Sequence, residues 1–205
     1  MKLYVTPGSP YARLVRVLIL ERGLKDRVDV LAAETRVAGS PFYGVNPSGR
    51  VPYLVLDDGR DFEDSQLIMT YLDRLTPGER LIRDPAEQDW VPARFEFRAR
   101  SFLDGIAVLG RELRRPAGQS SPIILEHESE RARRVADWLE GQMDHAYWSG
   151  PLNMGQIILY AGLDWGRRAH ADATDWCTGR PKLAAWFARL SAHPSIKATA
   201  ADQSL

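Results

Sequence analysis

At roughly 100 to 200 residues per domain, a chain of 205 residues holds one domain or two and can bury a full hydrophobic core. Its 27 Lys and Arg balance 27 Asp and Glu, so the formal net charge is zero; this removes the bulk electrostatic reason for binding nucleic acid or an anionic membrane and makes self-association easier. The single cysteine, Cys177, excludes an internal disulfide, four histidines without ligand spacing predict no metal site, and no leader or apolar run of the ~18 residues that span a bilayer is evident, so a cytoplasmic protein is expected.

The chain opens on a short β-favouring run at residues 2–5, ended by the turn formers Thr6-Pro7-Gly8-Ser9-Pro10. Leu14, Val15, Leu18 and Ile19 then recur at helical spacing, with Arg13, Arg16 and Arg22 expected on the opposite side and Gly23 as the stop. Residues 28–31 read as a second strand, and residues 33–46 as irregular chain with at most a short helix. Residues 53–56 and 61–62 form a hairpin around Asp57-Asp58-Gly59-Arg60, because Asp-Gly readily adopts the positive φ of such turns. Asp64 and Ser65 open a helix whose expected apolar face is Leu67, Ile68, Tyr71, Leu72 and Leu75. The order is βαβ followed by ββα.

Residues 76–80 break the pattern, and beyond Asp84-Pro85 only helical periods remain. This places one domain at 1–76, a linker at 77–85 and an all-helical domain at 86–205. Val91, Phe95, Phe102, Ile106, Leu109 and Leu113 mark a helix of nearly thirty residues ending before Pro116; Arg94, Arg98 and Phe102 are read as one face, and Phe95, Phe97 and Phe102 mostly as core. A further helix carries Ala132, Val135, Leu139 and Met143. Asn153 with Gln156 forms a variant capping box, with Gln156 expected to accept the reciprocal bond and Leu152 and Ile157 at staple positions. Pro181 begins another helix, with Leu183, Trp186, Phe187 and Leu190 on its apolar face, and His193-Pro194 closes it.

In such a βαβ unit the loop after the first strand leads into the first helix, where free N–H groups and the helix dipole favour an anion. Ser9 lies there. A hydroxyl donating to a sulfur would favour the thiolate over the thiol, whose unperturbed pKa is ~8.5. Ser9 followed by Pro10 is equally an ordinary N-cap and first helical residue, and both readings stand. For Pro52, a trans proline at a strand's first residue is what pattern alone prefers.

Strand, Ser-Pro loop, helix ending Glu21-Arg22-Gly23-Leu24, then Asn46-Pro47-Ser48-Gly49-Arg50-Val51-Pro52 and Asp64-Ser65, resembles the cytosolic glutathione transferase family, in particular its serine-type bacterial members. The resemblance extends over nearly the whole chain, since Asn153 with Gln156 and the last helix also match family features. It implies a thioredoxin-like N-terminal domain fused to an all-α C-terminal domain. By the resemblance Ser9 would stabilise the thiolate, Pro52 would be the cis-proline presenting the Val51 backbone to the cysteinyl part of glutathione, and Ser65 and Asp64 would hold the γ-glutamyl carboxylate and ammonium. Arg50 would reach the glycyl carboxylate or lie in solvent. The family's cysteine-type members carry a thiol near position 9, whereas Cys177 lies far away and reads as a packed small residue. Tyr4, at the position of the tyrosine-type residue, reads as a sheet-face side chain.

The implied activity is a glutathione transferase acting in detoxification, joining its co-substrate glutathione to a small, apolar electrophilic partner without a metal, as a homodimer. A glutathione-dependent isomerase or dehalogenase is weaker, because Pro7-Gly8-Ser9 stands where the isomerase branch carries Ser-Ser-Cys. The remaining alternative is a non-catalytic glutathione transferase-like binding or interaction protein.

Overall fold

The computed structural model describes residues 1–82 and 90–200, with residues 170–173 described by backbone alone. The chain divides into two compact units, Met1–Ile82 together with the chain from His193 onward, and Arg83–Ala192. The end of the linker expected at 77–85 and the start of the domain expected at 86 lie outside the described residues.

The first unit is built on a four-stranded sheet in the order β2-β1-β3-β4, formed by β1 (Lys2–Val5), β2 (Asp29–Ala32), β3 (Tyr53–Val55) and β4 (Asp61–Glu63). β1 runs parallel to β2 with Val5 opposite Ala32, and antiparallel to β3 with Tyr4 opposite Tyr53; β3 pairs antiparallel with β4 through Tyr53 and Glu63. A 3-10 turn at Lys25–Arg27 delays β2 by one residue relative to the sequence expectation, and the Asp29 N–H donates to the Met1 carbonyl. Leu3 and Val5 are fully buried, as alternation along a half-covered strand requires. Helices α1 (Pro10–Glu21) and α2 (Ser65–Asp73) pack on each other with Leu14, Leu18, Ile68, Met69 and Leu72 inside.

Two sequence expectations change here. Leu67 lies half exposed and Met69 takes its place on the buried face of α2. Arg13 and Arg16 are not on a solvated side of α1 but are 6% and 9% exposed. Arg13 is drawn in because its guanidinium donates to the Ile196 carbonyl at 2.9 Å and to Thr199 Oγ1 at 3.4 Å, on the returning chain. Burial, and then repulsion from Arg13, lower the pKa of Arg16.

The second unit contains α3 (Trp90–Leu113), α4 (Pro122–Glu140), the short α5 (Ala146–Ser149), α6 (Met154–Thr174) and α7 (Pro181–Ser191); α8 (Pro194–Ala198) belongs to the first unit. α3 is 24 residues long and packs chiefly on α6. Gly110 permits that approach, because a Cβ there would collide with the Trp165 ring. Phe95, Phe102, Ile106 and Leu109 are buried as expected, but Phe97 is 54% exposed. Arg94 and Arg98 are exposed while Phe102, further along the same stripe, is buried, and the two guanidinium groups lie over the Phe95 and Trp138 rings at 5.1 and 4.9 Å. The Asn153 side chain caps α6 by accepting from Gln156 N–H at 3.0 Å, but the reciprocal bond is absent. Gln156 is 1% exposed and its amide instead donates to the carbonyls of Tyr147, Gly150 and Pro151, which surround it; a buried amide needs such acceptors.

Candidate functional site

Strand register brings three separated segments to one end of the sheet. β1 points its C-terminal end there and β3, antiparallel to it, its N-terminal end, so the loop Thr6 to Ser9 and the dipeptide Val51-Pro52 leave from neighbouring strands. β4 ends at Glu63 opposite Tyr53, which delivers Asp64 and Ser65 to the same end. Ser9, Arg50, Val51, Pro52, Asp64 and Ser65 therefore all emerge on one sheet edge, although up to 56 positions separate them in sequence.

Ser9 is the N-cap of α1, its Oγ accepting from the Ala12 N–H at 3.2 Å. A hydroxyl has two acceptor lone pairs and one proton, so this bond leaves the Ser9 O–H to donate elsewhere. Capping and donation to a sulfur are thus compatible, and the α1 N-terminus adds its positive end.

The Val51-Pro52 peptide bond is cis, not the trans form that pattern alone prefers. Val51 is half-buried and precedes β3, so its backbone takes no part in the sheet. Among the described residues its N–H and C=O have no partner. An unpaired N–H and C=O on one residue are groups to which another peptide backbone can pair. Arg50 beside it is exposed.

At the head of α2 the two residues divide their tasks. Asp64, at φ 78°, caps the helix with its carboxylate, accepting from Gln66 N–H at 2.7 Å and Leu67 N–H at 3.4 Å. Ser65 is 4% exposed and its hydroxyl has no partner among the described residues. An open hydroxyl at a helix N-terminus is suited to a carboxylate. Asp64 is exposed, and the oxygen it does not give to its own helix can take an ammonium.

Tyr4 packs against Phe42 and Tyr53, at ring-centroid distances of 5.6 Å to Phe42, as a sheet-face residue. Burial and the Asp61 carboxylate push the Tyr53 hydroxyl up to about 12, so it stays protonated. Cys177 is buried in the helical unit, its thiol pushed up to about 11 chiefly by desolvation. Among the described residues no group of three or more His, Cys, Asp and Glu could hold a metal ion, and no helix is long and apolar enough to cross a membrane.

Sequence reasoning missed the bonds that shape the segment before Val51. Asn46, 2% exposed, donates to the Arg50 carbonyl at 3.0 Å and accepts from Ser48 N–H at 3.1 Å. Ser48 Oγ accepts from Arg50 N–H at 3.2 Å and donates to Glu63 Oε2 at 2.5 Å. Gly49 sits at φ 64°, where a Cβ would lie 2.6 Å from the Tyr43 ring. Asn-Pro-Ser-Gly signals a turn, but nothing in the sequence singles out Glu63 as its partner.

Residues 3–80 match the family described as glutathione S-transferase, N-terminal domain. Over 97% of its length the chain is 29% identical to an Escherichia coli K12 protein named as an uncharacterized GST-like protein, YibF, of which it covers 98%. A glutathione transferase family member from Pseudomonas fluorescens Pf-5, solved with bound glutathione, superimposes with a TM-score of 0.87 at 28% identity, over 100% of this chain and 99% of that one. A glutathione S-transferase from Methylobacillus flagellatus KT, solved with glutathione bound, gives 0.85 at 27% identity over 97% and 98%.

Proposed function

Because this chain belongs to the glutathione S-transferase family, we propose that it binds glutathione at the common sheet edge and transfers its thiolate to a small, apolar electrophile. The observation that carries this reading is the set of unused groups gathered there: the Ser9 O–H, the Val51 N–H and C=O, and the Ser65 hydroxyl. Glutathione is an extended tripeptide with a thiol near its middle and charged groups at both ends, and each has a counterpart. Val51 pairs with the cysteinyl backbone beside Pro52, Ser65 and the α2 N-terminus take the γ-glutamyl carboxylate, and Asp64 takes the ammonium. Arg50, exposed beside them, takes the glycyl carboxylate. Ser9 donates to the sulfur and lowers its pKa, so that the thiolate is present at neutral pH and attacks the electrophilic carbon as the leaving group departs. Binding also holds the nucleophile in place, which is the second contribution the protein makes to the rate.

On this reading Ser9 makes the protein a serine-type member, working in detoxification as a cytoplasmic homodimer with glutathione as co-substrate and no metal. A second reading is binding without turnover, in which Ser9 serves only as the helix cap that it already is. The two are separated by calorimetry with glutathione and by conjugation of a chloronitrobenzene. Ser65→Ala is expected to weaken binding about tenfold, the loss of one hydrogen bond to a charged group. No binding to the parent protein at millimolar glutathione would remove the proposal; binding without conjugation across a panel of electrophiles would select the second reading.

A further inference from the structure

Both polar groups of the Arg50 peptide are taken inside the loop, its C=O by Asn46 and its N–H by Ser48, so Val51 is the first residue whose N–H and C=O remain open. Where Val51 stands is therefore decided by what holds Ser48. Asn46 grips the Ser48 N–H from the buried side of the loop, and Glu63 grips the Ser48 hydroxyl from the end of β4. Glu63 is fixed in turn by its register opposite Tyr53, two residues beyond Val51 in the neighbouring strand. The Ser48 hydroxyl thus links two sheet-edge segments that carry different parts of the site: residues 50–52 on one side and Glu63, Asp64 and Ser65 on the other. A hydroxyl that donates to a carboxylate becomes a better acceptor, so the Glu63 bond strengthens the Ser48 bond to Arg50 N–H. The carboxylate sets the direction of the hydroxyl, because it can only accept.

We infer that Glu63 and Ser48 are positioning residues for glutathione, clamping the Val51 backbone at the spacing from the α2 N-terminus that one extended tripeptide requires. This rests on the glutathione-binding reading above. Neither side chain touches the reacting atoms; the pair acts on affinity by ordering loop 46–51 before the ligand arrives. Ordering in advance removes an entropy cost that binding would otherwise have to meet.

The test compares the parent with Ser48→Ala, Ser48→Thr, Glu63→Ala and Glu63→Gln, by steady-state kinetics with varied glutathione and by amide hydrogen exchange of the ligand-free proteins. Ser48→Ala and Glu63→Ala are expected to raise KM for glutathione about three- to tenfold, as one lost hydrogen bond should, with kcat at saturation within about twofold. Exchange at the Arg50 amide should quicken in both. Ser48→Thr keeps the hydroxyl and Glu63→Gln keeps an acceptor, so both should return KM toward the parent value. Unchanged KM and unchanged Arg50 exchange in the two alanine variants would overturn the inference while leaving glutathione binding intact. Equal losses in alanine and conservative variants would also overturn it, as the mark of general loop damage. If the parent itself binds no glutathione, the ligand assignment fails first, and the exchange measurement still decides whether the clamp exists.

Discussion

Single side chains set the chemistry by which of their atoms are already engaged. Ser9 gives its oxygen to Ala12 N–H and keeps its proton, so Ser9→Ala removes a cap and a donor at once. The expected outcome is a stability loss of about 1 kcal/mol from the cap and a fall in kcat of about 10- to 100-fold from the donor. Thermal unfolding and conjugation rates on the same preparation separate the two, and unchanged turnover would leave Ser9 as a cap alone. Cys177 shows the opposite case, a nucleophile disarmed by its surroundings. Its pKa of about 11 lies above the ordinary value of 9.0 because burial penalises the thiolate. The folded protein thus retains a proton that the unfolded chain releases, and this contribution to stability is complete below about pH 9 and lost as pH rises toward 11. Iodoacetamide at pH 8 is expected to modify Cys177 only after denaturation, as mass spectrometry would show.

Elements here are finished by residues outside them. α7 starts at Pro181 with Arg180 at its N-cap, and Arg180 makes no capping bond. The Glu140 carboxylate at the end of α4 does so instead, accepting from Lys182 N–H at 3.0 Å and Leu183 N–H at 2.8 Å. A carboxylate at a helix N-terminus satisfies two open donors and meets the positive end of the dipole. Glu140→Ala is expected to cost about 1 to 2 kcal/mol in denaturant unfolding, and Glu140→Gln less; an unchanged midpoint would show that water serves those donors equally well. The Pro at the first turn of α7 and its apolar face were legible in the sequence, whereas the cap, about forty positions away, has no local signal. The capping box at α6 was half legible: Asn153 caps as read, but Gln156 turns to three carbonyls that only packing brings around it.

At the scale of the whole molecule, the first unit is closed by two arginines on or just after α1. Arg13 holds the returning α8. Arg22 lies 3.3 Å from Asp73, which is 1% exposed, and donates to the carbonyls of Thr76 and Glu79 at 2.6 and 2.7 Å. Asp73 in turn accepts from Leu81 and Ile82 N–H, so this pair fixes the chain as it leaves the unit. Arg22→Ala leaves a buried carboxylate uncompensated and is expected to destabilise the first unit by about 3 kcal/mol or more. Calorimetric scanning checks it, and a loss below about 1 kcal/mol would mean that water replaces the guanidinium. The sequence by itself determined the element order, the switch from a mixed βαβ-ββα unit to helices, and the resemblance to the family, because turn formers, apolar periods and the two short motifs are local signals. It also named the residues that reach the sheet edge. Only the tertiary structure decided that Arg13 and Arg16 are buried, that Glu63 holds Ser48 and that α8 returns to the first unit. Each depends on a partner distant in sequence, and the free energy of burying a charge or satisfying a donor is fixed by that partner and not by its neighbours along the chain.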